Sequence, residues 1–228
     1  MIKAVIFDLD DTLISERRYI ESGYKHISKL LSEKLQKDEQ ELYQILITLF
    51  NEDTKNVFNR MFDMVGVIYT QNDVIELVEA YRNHVPTITF FEDVLPCLKS
   101  LKEKGLNLGI ITDGYANAQQ RKIDAIKASN YFDEIIITDK LGREFWKPHP
   151  RAFETMKEKL NTEFNEMIYV GDNPEKDFHI SSIYPIQTVR IYRDGVYSEK
   201  SYLNEVKEDY SIYSLKELNQ IVNQKLCK

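Results

Sequence analysis

Cysteine is nearly missing from this chain of 228 residues. Only Cys97 and Cys227 occur, isolated and without metal-ligand spacing. Two cysteines over this length exclude a disulfide scaffold and predict a reducing, cytoplasmic setting. Basic excess is missing as well. The formal net charge is -7, whereas a nucleic-acid polymer calls for a basic footprint on its partner. No stretch approaches the ~18 consecutive apolar residues of a membrane span. The strand pattern that begins at Ile2 is expected to leave no room for a signal peptide. His26, His84, His149 and His179 have no ligand spacing and read as surface or packing residues. Internal repeats and low-complexity tracts are absent. The composition that remains, 43% hydrophobic and 29% charged, is that of an ordinary globular protein. The length suits one sizeable α/β domain with an appendage.

The richest segment lies within the first thirteen residues. An apolar run, Met1 to Phe7, breaks abruptly into Asp8-Leu-Asp10-Asp11-Thr12-Leu13. Such a run bounded by polar residues predicts a buried, parallel strand, and ligands of open α/β sheets bind beyond the carboxyl ends of such strands. Three carboxylates crowded there repel one another unless a cation sits among them. A hard divalent ion with oxygen ligands, Mg2+, is the simplest candidate, and it commonly takes phosphate oxygens too.

Residues 15–84 lose the strand pattern. Ile20, Tyr24, Ile27, Leu31 and Leu35 recur at helical spacing, and three more helices follow around Leu42–Leu49, Val57–Val65 and Val74–Tyr81. Pro86 marks the exit from this helical insertion. Strands and helices then alternate: a helix with Leu95, Leu98 and Leu101 ending at Gly105, a strand over 106–111, a helix over about 116–128, a strand at 135–137, a helix over about 150–160 and a strand over 167–170. That alternation predicts a doubly wound parallel sheet. Asp194-Gly195 predicts a hairpin turn, with Arg190 and Arg193 as exposed features of it. The predicted division is an α/β core of 1–14 and 85–228 around a helical domain of 15–84.

Four signals fall on loops after strands: Asp8-x-Asp10-x-Thr12, Thr112-Asp113-Gly114, Lys147-Pro148, and Gly171-Asp172 with Asp177. Together they supply what phosphoryl transfer requires: a nucleophile, a proton donor, a metal and clamps on the phosphoryl oxygens. In this order and spacing the chain resembles the haloacid dehalogenase superfamily of aspartate-nucleophile phosphatases, over about 1–14 and 85–193. Thr112-Asp-Gly, Gln120-Arg-Lys122, Tyr131-Phe-Asp133 and Lys147-Pro-His-Pro look closest to its nucleotidase and N-acylneuraminate-9-phosphate phosphatase branch.

The resemblance implies a Rossmann-like core, a helical cap at 15–84 and a role for each motif residue. Asp8 is implied as the nucleophile that becomes an aspartyl-phosphate, and Asp10 as the general acid and base. Asp8, the backbone carbonyl of Asp10 and Asp172 are implied as Mg2+ ligands, with Asp177 acting directly, through a water, or by orienting Asp172. Thr112, the Asp113 backbone N–H and Lys147 are implied on the phosphate oxygens. Asp11 is left to structure. An alkoxide leaving group needs a proton and a halide does not, so the acid at Asp10 favours phosphate-ester hydrolysis over dehalogenation. The expected substrate is a small phosphorylated metabolite, a sugar phosphate or a nucleoside monophosphate. A phosphomutase shares the same intermediate, and a receiver-like, non-enzymatic phosphoacceptor uses similar groups in a different order. The segment after Asp177 departs from the superfamily by lacking its small residues, so a helix there is expected to stop by Pro185. The tyrosine-rich stretch beyond it carries no implied role and leaves sheet extension or an oligomer contact open.

Overall fold

A computed structural model describes residues 1–193 and 200–226. Two compact units divide the chain: Met1–Glu16 with Thr89–Lys228, and Arg17–Ile88. Each division falls two to four residues from the predicted one, for a local reason. The Glu16 backbone N–H donates to the Asp11 carboxylate at 2.9 Å, which ties Glu16 to the first loop. At the other end the Thr87 N–H donates to Ser22 Oγ at 2.8 Å, which keeps that segment with the helices.

The helical unit contains α1 (Glu16–Leu35, from its second residue), α2 (Glu39–Glu52), α3 (Val57–Met64) and α4 (Gln71–Asn83). Their apolar stripes, including Tyr24, Ile27, Leu31, Leu42, Leu46, Phe58, Met61 and Leu77, merge into one buried cluster. A helix this short gains most of its stability from such burial rather than from propensity. The starts are fixed by side chains: Asp38 accepts from the Glu41 N–H, and Thr70 and Asp73 form a capping box. The aromatics Tyr19, Tyr24, Phe58 and Phe62 are all buried. His84 is buried against Tyr19 and Tyr81 and packs as a core residue.

The other unit is an α/β sheet. Its strands are β1 (Ala4–Phe7), β2 (Asn107–Thr112), β3 (Glu134–Ile137), β4 (Met167–Gly171), β5 (Gln187–Ile191) and β6 (Tyr210–Ile212). They lie in the order β3-β2-β1-β4-β5-β6, and every pairing is parallel. All four residues of β1 are fully buried, as the unbroken apolar run predicts. The helices of this unit are α5 (Val94–Glu103), α6 (Ala116–Ala125), α7 (Arg151–Leu160) and α8 (Leu215–Leu226). Phe153 and Met156 of α7 pack with Ala4, Ile6, Ile111, Met167 and Tyr169 in one core cluster. The strand order reverses between β1 and β4, and that switch point is where a doubly wound sheet opens a crevice for ligands.

Several expectations need correction. Leu95 is exposed, and Val94 and Cys97 take the inward positions beside Leu98 and Leu101. Helix α6 stops at Ala125 because Lys127 turns left-handed, at φ 52°. After Asp177 there is a single 3-10 turn, His179–Ser182, in place of a helix. The predicted turn at Asp194-Gly195 lies outside the described residues. Arg190, expected to be exposed, is buried within β5 and donates to the Tyr202 hydroxyl at 2.7 Å. Arg193 is engaged by Asp93 at 2.8 Å and lies over the Phe91 ring. Among the described residues no helix is long and apolar enough to cross a membrane.

Candidate active site

The site grows from the ends of β1 and β4. Asp8 follows Phe7 directly, and its N–H donates to the Val170 carbonyl at 2.8 Å, so sheet pairing continues through it. The chain then turns. Asp11 sits at a left-handed φ of 50°, a conformation Asp tolerates because its short side chain can bond locally, here to the Glu16 N–H. At the end of β4, Gly171 is required by close approach, since a Cβ there would run into the Asp177 carboxylate. Asp177 is drawn back toward the strand by the Asn173 N–H, which donates to its Oδ2 at 2.9 Å.

Carboxylate oxygens of Asp8, Asp172 and Asp177, all buried, come within 4.8 Å of one another. Lys147 lies among them with its side chain fully buried. Its ammonium donates to Asp8 Oδ1 at 2.5 Å, Asp177 Oδ1 at 2.7 Å and the Tyr169 hydroxyl at 2.8 Å. Those three bonds use all three protons of an ammonium group. The Tyr169 hydroxyl in turn donates to Asp177 Oδ1 at 3.2 Å. The Lys147–Pro148 peptide bond is cis.

Thr112 closes β2 and is buried, and Asp113 follows it. The Asp113 carboxylate accepts from the Lys147 N–H at 3.1 Å, the Thr138 hydroxyl at 2.8 Å and the Lys176 ammonium at 3.1 Å. Asp10 is the exception. Its carboxylate stands outside the Asp8, Asp172 and Asp177 group and faces α6, where Lys122 and Gln119 donate to it. Of the residues named for metal binding, the gathered side chains are therefore Asp8, Asp172 and Asp177. Asp10 was named through its backbone carbonyl.

The electrostatics follow from burial and crowding. Burial pushes the Asp8 carboxyl up to about 7, with Asp177 adding to the shift and Lys147 opposing it. Burial, then the charges of Asp8 and Asp177, raises Asp172 well above the carboxylate range. Asp113 is also penalised by burial, yet Lys147 and Lys176 hold it below its usual value. Burial works against the charge on Lys147, but Asp177 and Asp8 overcome it and raise its pKa. A buried cluster of oxygen donors with too few cations suits a hard divalent ion, whose charge relieves the crowding.

Sequence reading gave no site role to Tyr169, Lys176, Gln119 or Lys122, although Lys122 falls in the Gln120-Arg-Lys122 stretch quoted above. Tyr169 looks like one more apolar strand residue, and the three others look like solvated helix or loop residues. Only Lys122 carried a signal, a cation at a core-facing position of α6 beside Ile123.

The description "Haloacid dehalogenase-like hydrolase" belongs to a family model that matches residues 5–191. The chain belongs to this family. Among such hydrolases, a glyceraldehyde 3-phosphate phosphatase of Methanopyrus kandleri is 32% identical over 98% of both chains. A pyrophosphatase, PpaX, of Bacillus pumilus is 28% identical over 75% of both. A crystal structure of a HAD phosphatase from Thermococcus onnurineus has a TM-score of 0.63 and 26% identity, covering 97% of this chain and 98% of its own. This haloacid dehalogenase-like hydrolase is accordingly an enzyme of the phosphatase type. The finer resemblance to the nucleotidase and N-acylneuraminate-9-phosphate phosphatase branch is not carried by these relatives.

Proposed function

We propose that this enzyme is a Mg2+-dependent phosphomonoesterase of a small phosphorylated metabolite, with glyceraldehyde 3-phosphate the first candidate, acting through an aspartyl-phosphate on Asp8. The observation that carries the reading is the Lys147 ammonium bonded at once to Asp8 and Asp177 beside Asp172. The substrate candidate rests on the relative of matching length.

Asp8 attacks phosphorus, its oxygen forms the new P–O bond, and the bond from phosphorus to the ester oxygen breaks. Asp10 delivers a proton to the departing alkoxide. Water then attacks the phosphorus of the acyl phosphate, Asp10 takes a proton from it, and Asp8 is restored as phosphate leaves. Splitting the displacement into two steps lowers the barrier of each. Lys147, the Thr112 hydroxyl and the Asp113 N–H are assigned to the phosphoryl oxygens, where fixed donors stabilise developing charge. Asp8, Asp172 and the Asp10 backbone carbonyl would hold Mg2+, with Asp177 behind them orienting Lys147. Held there, the ion would offset the charge of these carboxylates and supply Lewis-acid stabilisation to the phosphoryl group. The helical unit, inserted between the first two motifs, is assigned the cap that selects the leaving group.

The test is phosphate release in Mg2+ from glyceraldehyde 3-phosphate, other sugar phosphates, nucleoside monophosphates and pyrophosphate. Glyceraldehyde 3-phosphate is expected to lead. A dominant pyrophosphatase activity would move the substrate toward that of the Bacillus pumilus relative. Asp8→Asn should lower turnover by on the order of a thousandfold or more without loss of fold. Wild-type turnover in that variant would remove Asp8 as nucleophile.

A further inference from the structure

Helix α6 normally has no reason to bury charge. A surface helix turns an apolar stripe to the core, and a lysine is almost never buried unless paired. Yet two of the three buried positions of α6 are Gln119 and Lys122, one helical turn apart. Both point at one carboxylate. The Lys122 ammonium donates to Asp10 Oδ1 at 2.8 Å and Oδ2 at 2.7 Å, with its side chain 5% exposed. Gln119 Nε2 donates to Asp10 Oδ2 at 2.9 Å and also to the Asp113 carbonyl. One amide thus joins the first motif loop to the second. The loop makes room for it at Gly114, where a Cβ would come within 2.7 Å of Gln119 Nε2.

Burying these groups for stability alone would be a poor solution, because hydrophobic residues of similar volume commonly do as well or better than a buried ion pair. Their geometry instead limits where the Asp10 carboxylate can go. Both of its oxygens are held from the α6 side, and the loop that carries it is anchored by strand bonding at Asp8 two residues earlier.

We infer that Lys122, with Gln119, is a positioning residue that sets the rotamer from which Asp10 serves the leaving-group oxygen. The inference rests on the reading of Asp10 as general acid given above. A residue acting this way affects esters whose alkoxide needs a proton far more than esters whose leaving group departs as a stable anion. A residue needed only for folding affects both alike.

The experiment compares kcat/KM for an alkyl phosphate and for p-nitrophenyl phosphate, since kcat/KM covers the steps through transfer to Asp8. Lys122→Met should lose at least about tenfold more on the alkyl ester than on the aryl ester, part of the ~10²–10⁴ that general acid catalysis supplies. Lys122→Arg should recover part of that ratio by restoring a charged donor. In an Asp10→Ala background Lys122→Met should leave the ratio where Asp10→Ala alone puts it, as expected of two residues acting as one unit. Equal losses on both esters in Lys122→Met, with the ratio shifted in Asp10→Ala, would overturn this inference and leave the Asp10 reading intact. An unshifted ratio in Asp10→Ala itself would overturn the Asp10 reading. Should Lys122→Met fail to fold, Lys122→Gln, which keeps a neutral donor, takes the same measurement.

Discussion

Lys147 is the residue on which the candidate site turns. An isolated ammonium in the interior is costly, and this one is tolerated because each proton meets an acceptor. Two of those acceptors are carboxylates that serve the site, and the third is the hydroxyl of Tyr169, a fully buried strand residue. Tyr169→Phe keeps the ring and removes that acceptor, leaving a buried donor without a partner. The variant should be about 1–3 kcal/mol less stable, read as a lower urea midpoint at unchanged slope. An unaltered midpoint would mean that another group takes the proton. Asp8 shows the complementary stress: burial lifts its carboxyl to about 7, whereas the nucleophilic role proposed for it requires the ionised form. The neighbouring ammonium favours its charged form, and the proposed cation would do the same.

Among the elements, the first turn of α8 depends on a distant carboxylate. Asp93, just before α5, accepts from the Leu215 N–H and the Ser214 hydroxyl, each at 2.9 Å, so it caps α8 from outside that helix. It also takes both terminal nitrogens of Arg193. Burial disfavours the charged form of Asp93, but Arg193, the Leu215 N–H and Ser214 hold its carboxyl below the usual range. A carboxylate with a depressed folded-state pKa contributes stability that is complete above its unfolded value, about 4. That contribution is lost as pH falls through the lower folded value. Thermal melts between pH 7 and pH 3 should therefore show Asp93→Asn destabilised at neutral pH and closing on the wild type in acid. Parallel melting curves across that range would refute the linkage.

On the scale of the whole molecule, a net charge of -7 is reconciled with a phosphate substrate by local arrangement. Around the site the carboxylates of Asp8, Asp10, Asp113, Asp172 and Asp177 face the ammonium groups of Lys122, Lys147 and Lys176. Asp11 and Glu16 add to the same group, so carboxylates outnumber ammonium groups there, an excess that a divalent cation would offset. A ligand that binds the folded chain alone stabilises it by mass action, about 2.7 kcal/mol at a concentration one hundred times its Kd. Titrating Mg2+ should accordingly raise Tm in the wild type, and Asp172→Ala should lose most of the rise. A Tm indifferent to Mg2+ in the wild type would argue against the ion at this site.

The four motif loops, their order, the alternating elements and the helical insertion were legible in the one-dimensional pattern. Apolar periodicity is a local property, and a strand that ends in acid residues announces its own edge. The partnership of Lys122 with Asp10 joins residues 112 positions apart, and that of Lys147 with Asp8 joins residues 139 apart. Tyr169 was hidden by its apolar neighbours, and Arg190 and Arg193 were misread as exposed. None of these could be read along the chain, because a polar side chain looks the same in sequence whether water or a carboxylate receives it. The strand order β3-β2-β1-β4-β5-β6 settles that question by bringing distant loops to one edge, where exclusion of water makes each pairing obligatory.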